Sequence, residues 1–235
     1  MIELPSVEYA ALPEHLDCWP FAGEWVAQEK IDGVRALLEW GNLRGRKLNH
    51  TLPGALPEAF RTAVLDGELK DGVFHVFDVV ALDGAEVSRK PLSERLELLA
   101  TLTPLFPDWM RPVATSRNLA GLYASVVASG GEGVVVKKLS AGWGREWHKA
   151  KRLVTHDLIV ESLDAKKRSA SCYQWRDGTR LDCGRVNLGM AFDSVAVGSV
   201  IEVAAMARHA SGKLREARFV RLRNDKPAAD CVAVP

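Results

Sequence analysis

Apolar residues in this 235-residue chain come mostly in short runs, and the runs have the length of β-strands. Residues 35–39, 72–80, 133–137, 157–163 and 200–205 are five of them. Within 72–80, Phe74, Val76 and Asp78 alternate with His75, Phe77 and Val79, the period of two that turns successive side chains to opposite faces. Two stretches carry the helical period instead. Leu92, Leu96 and Leu99 recur at helical spacing in 91–102, while 118–129 opens on Asn118, an N-capping residue type, and stops at Gly130-Gly131. Glycine, proline and polar clusters punctuate the rest, with no repeat or low-complexity tract. The pattern predicts an α+β protein.

Composition narrows this only a little. An apolar fraction of 47% and a charged fraction of 26% are ordinary for a globular protein. The length allows one large domain and a small one, each with a core. No run reaches the length of a membrane span. Residues 1–25 carry Glu3, Glu8, Glu14, Asp17 and Glu24 where a secretory signal needs a basic start and an apolar centre, so a cytoplasmic protein is expected. Cys18, Cys172, Cys183 and Cys231 form no C-x-x-C pair, which disfavours structural zinc. Reduced thiols are the expectation, with a Cys172–Cys183 disulfide as the alternative.

The net charge of +1 hides an asymmetry: 18 basic and 20 acidic residues up to Arg152, 13 and 10 beyond it. Positive charge gathers in 137–152 and 208–226, which favours contact with a polyanion.

The chemistry concentrates in Lys30-Ile31-Asp32-Gly33-Val34-Arg35. Lys30 follows the apolar run Trp25-Val26-Ala27 and precedes the turn dipeptide Asp32-Gly33, so it stands at a strand-to-turn corner. An amine there can be a nucleophile once deprotonated, which neighbouring cations or a metal favour. A charged hairpin tip is the plainer reading. Further along stand Leu65-Asp66-Gly67-Glu68-Leu69, Phe77-Asp78, Glu132-Gly133-Val134-Val135-Val136-Lys137, Trp147-His148-Lys149-Ala150-Lys151 and Arg218 to Lys226, ending Arg223-Asn224-Asp225-Lys226.

In order and spacing these segments resemble the motif series of the covalent nucleotidyltransferases, and within them the minimal two-domain ATP-dependent DNA ligases. The resemblance implies a fold with two antiparallel sheets around a nucleotide pocket in an adenylation domain over 1–152. An oligonucleotide-binding barrel would follow over 153–235. With 29 residues ahead of Lys30, the helical DNA-binding domain of larger ligases is not expected.

It also implies roles. Lys30 would carry AMP, Asp32 would shape the turn, and Arg35 would reach the ribose or the nick terminus. Gln28 would meet the adenine amino group, with Glu29 beside it, and Phe77 would stack on the base. Glu68 and Glu132 would bind metal or ribose; Lys149 and Lys151, alternating on one strand face, would flank the α-phosphate. Arg223, Asp225 and Lys226 would orient the pyrophosphate. Arg46 and the loop Lys166-Lys167-Arg168 are candidate DNA contacts, against an exposed hairpin base and a solvated tip. Trp143, Trp147 and Trp175 read as packing residues. ATP and Mg2+ (or Mn2+) are the implied cofactors. Nicked duplex DNA is the implied partner, the protein acting as a monomer away from membranes.

An mRNA capping guanylyltransferase shares much of this set, but usually has Asp where this chain has Glu132, and Trp147 to Lys151 is closer to ligases. An NAD-dependent ligase would need a nicotinamide-binding segment before Lys30 and zinc cysteines after the barrel. A non-catalytic binding module would be free to lose the charged motif positions, all of which are filled.

Overall fold

The computed structural model describes residues 24–45 and 49–233, so Cys18 and the candidate DNA contact Arg46 lie outside the described residues. Among the described residues sheet dominates, with two α-helices, Leu92–Leu102 and Leu119–Ala128. The chain divides into two compact units, Met1–Lys151 and Arg152–Pro235.

Both helices form where the leucine spacing and the caps place them. Asn118 Oδ1 accepts the Gly121 N–H at 3.0 Å, satisfying an amide that has no partner within the helix. Beyond the C-terminus of that helix Gly130 turns the chain at φ 84°. The other helix starts directly after Pro91.

A four-stranded antiparallel sheet in the first unit runs in the order Trp147–Lys151, Gly133–Lys138, Trp25–Glu29, Thr115–Ser116. One face is apolar: Ala27, Val134, Val136 and Ala150 pack against Leu119, Leu122, Tyr123 and Val126 of the second helix. The alternate residues must therefore face the other way. Register aligns Gln28 with Val135 and Val135 with Lys149, and likewise Gly133 with Lys151 and Lys137 with Trp147.

The larger sheet orders Asn49–His50, Asn42–Gly45, Val34–Glu39, Val64–Lys70, Val73–Leu82 and Ala85–Glu86, with Met110–Pro112 parallel to Val73–Leu82. Ala36, Leu38, Leu65, Phe74 and Val76 close a core with Leu99 and Leu102 of the first helix. The simple alternation expected over 72–80 does not run through. Register slips so that Gly67 pairs with Val76 and Asp66 with Asp78, which leaves Phe77 as the extra residue of a β-bulge. Gly67 is required there, because a Cβ would lie 2.6 Å from the Phe74 ring.

In the second unit five strands pair into a closed ring, in the order Val154–Asp164, Ser169–Arg176, Thr179–Asn187, Arg218–Leu222, Val200–Ala205. Leu158, Val160, Ala170, Val186, Ile201 and Val203 fill it. Cys172, Cys183 and Cys231 are buried free thiols, so the disulfide alternative is not realised. Burial pushes the Cys172 thiol up to about 12. No described helix is long and apolar enough to cross a membrane.

Candidate active site

Lys30 stands one residue beyond the strand Trp25–Glu29, and its backbone N–H donates to Gly133 O at 2.9 Å. The corner is thereby tied to the segment that carries Glu132. Gly133 takes φ 131°, and a Cβ on it would lie 2.0 Å from Ala150 O, so no other residue fits between these strands.

Three predicted residues meet here. Lys30 Nζ donates to Glu132 Oε2 at 2.6 Å, while Lys151 Nζ lies 3.4 Å from Glu132 Oε1. The Glu132 side chain is only 5% exposed and each of its oxygens faces a lysine. Lys149 lies on the same strand face as Lys151 and is half-buried.

Facing residues come from the larger sheet. Arg35 pairs in register with Glu68 and grips Asp66 bidentately, through Nε at 3.1 Å and Nη2 at 2.7 Å. The Trp143 indole donates to Asp66 Oδ2 at 2.8 Å. Burial pushes the Glu68 carboxyl up to about 7, against the nearby positive charges of Lys30 and Arg35, which lower it. Asp32 and Glu29 are both exposed.

The expected base-stacking residue has company. Phe77 and Trp147 meet edge to face at 5.8 Å, and Lys137 Nζ lies 4.3 Å and 4.0 Å from their ring centroids. That ammonium is buried without a hydrogen-bond partner, and burial drives it down to about 8 despite Asp78 and Asp66. Gln28 Nε2 donates to Phe77 O at 3.3 Å and Thr115 Oγ1 at 3.0 Å, leaving its buried Oε1 without a partner and with the amide orientation fixed. Trp147 and Trp143 are packing residues, as expected, and Trp143 also orients an acid. Behind Phe77, Asp78 takes both ends of the Arg95 guanidinium at 2.8 and 2.9 Å.

Arg223, Asp225 and Lys226 lie in the second unit. Arg223 donates to both Asp225 oxygens at 2.9 Å and, through Nη1, to Asp157 Oδ1 at 2.9 Å. Lys226 Nζ donates to Asp157 Oδ2 at 2.7 Å. The Arg223 guanidinium holds Asp225 down at about 2. Lys166 and Lys167 are exposed at a turn, whereas Arg168 is drawn back onto Asp193 at 2.7 Å and Gly189 O at 2.9 Å.

Sequence reasoning did not single out Asp66, Arg95, Lys137 or Asp157. Asp66 and Lys137 lie inside the segments that carry the resemblance, while Arg95 and Asp157 have no local signal.

Residues 60–154 match the model of the ATP dependent DNA ligase domain. That stretch is similar to the ligase domain family. It holds Glu68, Phe77, Glu132, Lys149 and Lys151, and Lys30 joins them through Glu132. A probable DNA ligase of Kineococcus radiotolerans is 30% identical over 89% of this chain. The chain spans 57% of that relative's length. Among solved structures, a Lig E DNA ligase with a minimal scaffold has a similar fold, with a TM-score of 0.67 at 22% identity over 93% of this chain and all of that one. Mycobacterial DNA ligase D complexed with ATP has a TM-score of 0.50 at 22% identity, over 90% of this chain and 93% of that chain.

Proposed function

We propose that the chain is an ATP-dependent DNA ligase that seals nicks between a 5′-phosphate and a 3′-hydroxyl in duplex DNA, through a lysyl-AMP on Lys30 and then a DNA-adenylate. One observation carries the reading: Lys30 is a lysine at a strand corner, aimed by a buried carboxylate that also holds a second lysine. The residues 1–152 would be the adenylation domain, and the strand ring of 153–235 an oligonucleotide-binding barrel.

In the first step Lys30 Nζ, having lost its proton, attacks the α-phosphorus; a phosphoramidate N–P bond forms and pyrophosphate leaves. Transfer of AMP to the 5′-phosphate and attack by the 3′-hydroxyl, with release of AMP, complete the cycle. Positioning and charge neutralisation carry such transfers. Lys149 and Lys151 supply fixed cations by the α-phosphate, Gln28 Oε1 is an acceptor for an amino group of the base, and Phe77 offers it a ring. Glu29, Asp32 and Arg35 complete the corner around the nucleotide.

Among the described residues no group of three or more His, Cys, Asp or Glu forms a metal cage. Mg2+ binds through one or two carboxylates and substrate phosphates. Glu68 and Glu132 are the carboxylates in place, and the ion would neutralise phosphate charge. Lys166, Lys167 and Arg168 are the candidate DNA contacts of the barrel, and Arg168 is also paired with Asp193. Incubation with labelled ATP or GTP and then denaturing electrophoresis tests the reading: AMP should stay on the protein, and preference for GTP would point to a capping enzyme.

Glu68 gives this site a pH signature. Its ionisation near 7 should add a limb to the rate of AMP labelling, rising with pH between about 6 and 8 as the carboxylate forms. Glu68→Gln should remove that limb. Identical profiles in the two proteins would show that the Glu68 anion takes no part.

Asp225 and Lys226 should separate the steps. Alanine at either position is expected to cripple labelling by ATP, which needs pyrophosphate held opposite the attacking amine. Sealing of a nick adenylylated beforehand needs no pyrophosphate and should survive. Equal losses in the two assays would assign these residues to barrel stability instead.

A further inference from the structure

The two cations proposed to receive pyrophosphate already have an anion. Asp157 gives one carboxylate oxygen to Arg223 and the other to Lys226, at 2.9 and 2.7 Å. Among the described residues no other carboxylate is bonded to both cations. Asp225 bonds to Arg223 alone and is exposed, whereas the Asp157 side chain is only 17% exposed.

Asp157 is also the best anchored member of the group. It sits within the barrel strand Val154–Asp164, paired in register with Glu202, and its backbone carbonyl accepts from Gln174 Nε2 at 2.9 Å. Arg223 and Lys226 belong instead to the turn after the strand Arg218–Leu222. A carboxylate on a strand therefore fixes the separation of two long side chains on a turn.

Charge adds a second consequence. Glu202 binds Arg221 at 2.6 Å and lies 3.9 Å from Arg223, so Asp157, Asp225 and Glu202 stand against Arg221, Arg223 and Lys226. Three negative charges match three positive ones. A phosphate that arrives meets little net positive charge until one carboxylate gives way.

We propose that Asp157 is a positioning residue for the adenylylation step: it sets Arg223 and Lys226 in place for the pyrophosphate end of ATP and is displaced from them by that anion. The inference rests on the ligase reading. It predicts a split between affinity and rate, because removing the competing charge strengthens anion binding while the loss of the bridge disorders the cations.

Asp157→Asn, which keeps the shape and removes the charge, tests it in the full chain. Its maximal rate of lysine adenylylation by ATP should fall by about tenfold or more. In the reverse reaction, where pyrophosphate attacks the phosphorus of the lysyl-AMP, the N–P bond breaks and ATP is regenerated, the half-saturating concentration of inorganic pyrophosphate should fall several-fold. Sealing of a nick adenylylated beforehand should stay within about twofold of the parent protein, which excludes a general folding defect. Unchanged adenylylation, parallel losses in both assays, or an unchanged or higher half-saturating pyrophosphate would each overturn the proposal. A parent protein that takes up no AMP would overturn the ligase reading instead.

Discussion

Lys30→Ala is expected to abolish both AMP labelling and nick sealing, a loss of at least about a thousandfold, while the protein melts within a few degrees of the parent. The first half follows from the chemistry: with no amine at the corner there is no atom to bond to phosphorus. The second follows from the packing. The Lys30 side chain is 16% exposed and one residue beyond its strand, and its loss still leaves Glu132 a positive neighbour in Lys151. A buried carboxylate with one lysine remaining costs less than an unpaired one. Parallel assays of labelling and thermal melting check both halves. Labelling that persists would move the nucleophile elsewhere, and collapse of the melt would make the test uninformative about chemistry and the packing argument wrong.

A second large effect is expected far from the nucleophile. Asp78 and Arg95 are both fully buried, and the guanidinium has further acceptors in Lys90 O and Ala141 O. Asp78→Ala would leave a guanidinium charge in the core of the first unit without its counter-ion, a change that costs about 3–5 kcal/mol. That corresponds to a drop on the order of 10 °C in melting midpoint. Replacing both partners, Asp78→Leu with Arg95→Met, should recover much of the loss, since the charge and its partner leave together. The exposed pair Lys90–Glu94 is the contrast, at 2.7 Å but half exposed on both sides. Lys90→Ala should cost only about 0.3–0.5 kcal/mol. Melting curves of the four proteins check the series; a mild Asp78→Ala would mean that water reaches Arg95.

The same contrast shows what could be read from the sequence. Helix positions followed from local chemistry, because the Asn118 cap, Gly130 and the leucine spacing act within a few residues. Strand positions followed for the same reason, and 200–205 coincides with the strand Val200–Ala205. The corner at Lys30 was legible because the run before it and the Asp32-Gly33 dipeptide after it are contiguous. The bulge at Phe77 was not, since a register slip depends on the partner strand and on Gly67 across from it. Nor was the Asp78–Arg95 pair, whose members sit on different elements and are joined by burial rather than by spacing. Lys137 reads as the polar end of an apolar run; its place between Phe77 and Trp147 is set by two other strands. Asp157 gave no signal because its partners lie 66 and 69 residues away.

The central claim is that one amine, on Lys30, becomes covalently adenylylated. Mass spectrometry of peptides from the protein after incubation with ATP and Mg2+ tests it most directly. The mass of an adenylyl group should appear on the peptide containing Lys30 and should vanish on chase with a nicked, 5′-phosphorylated duplex. An adenylyl group on Lys137, Lys149 or Lys151, or none on any peptide, would contradict the account.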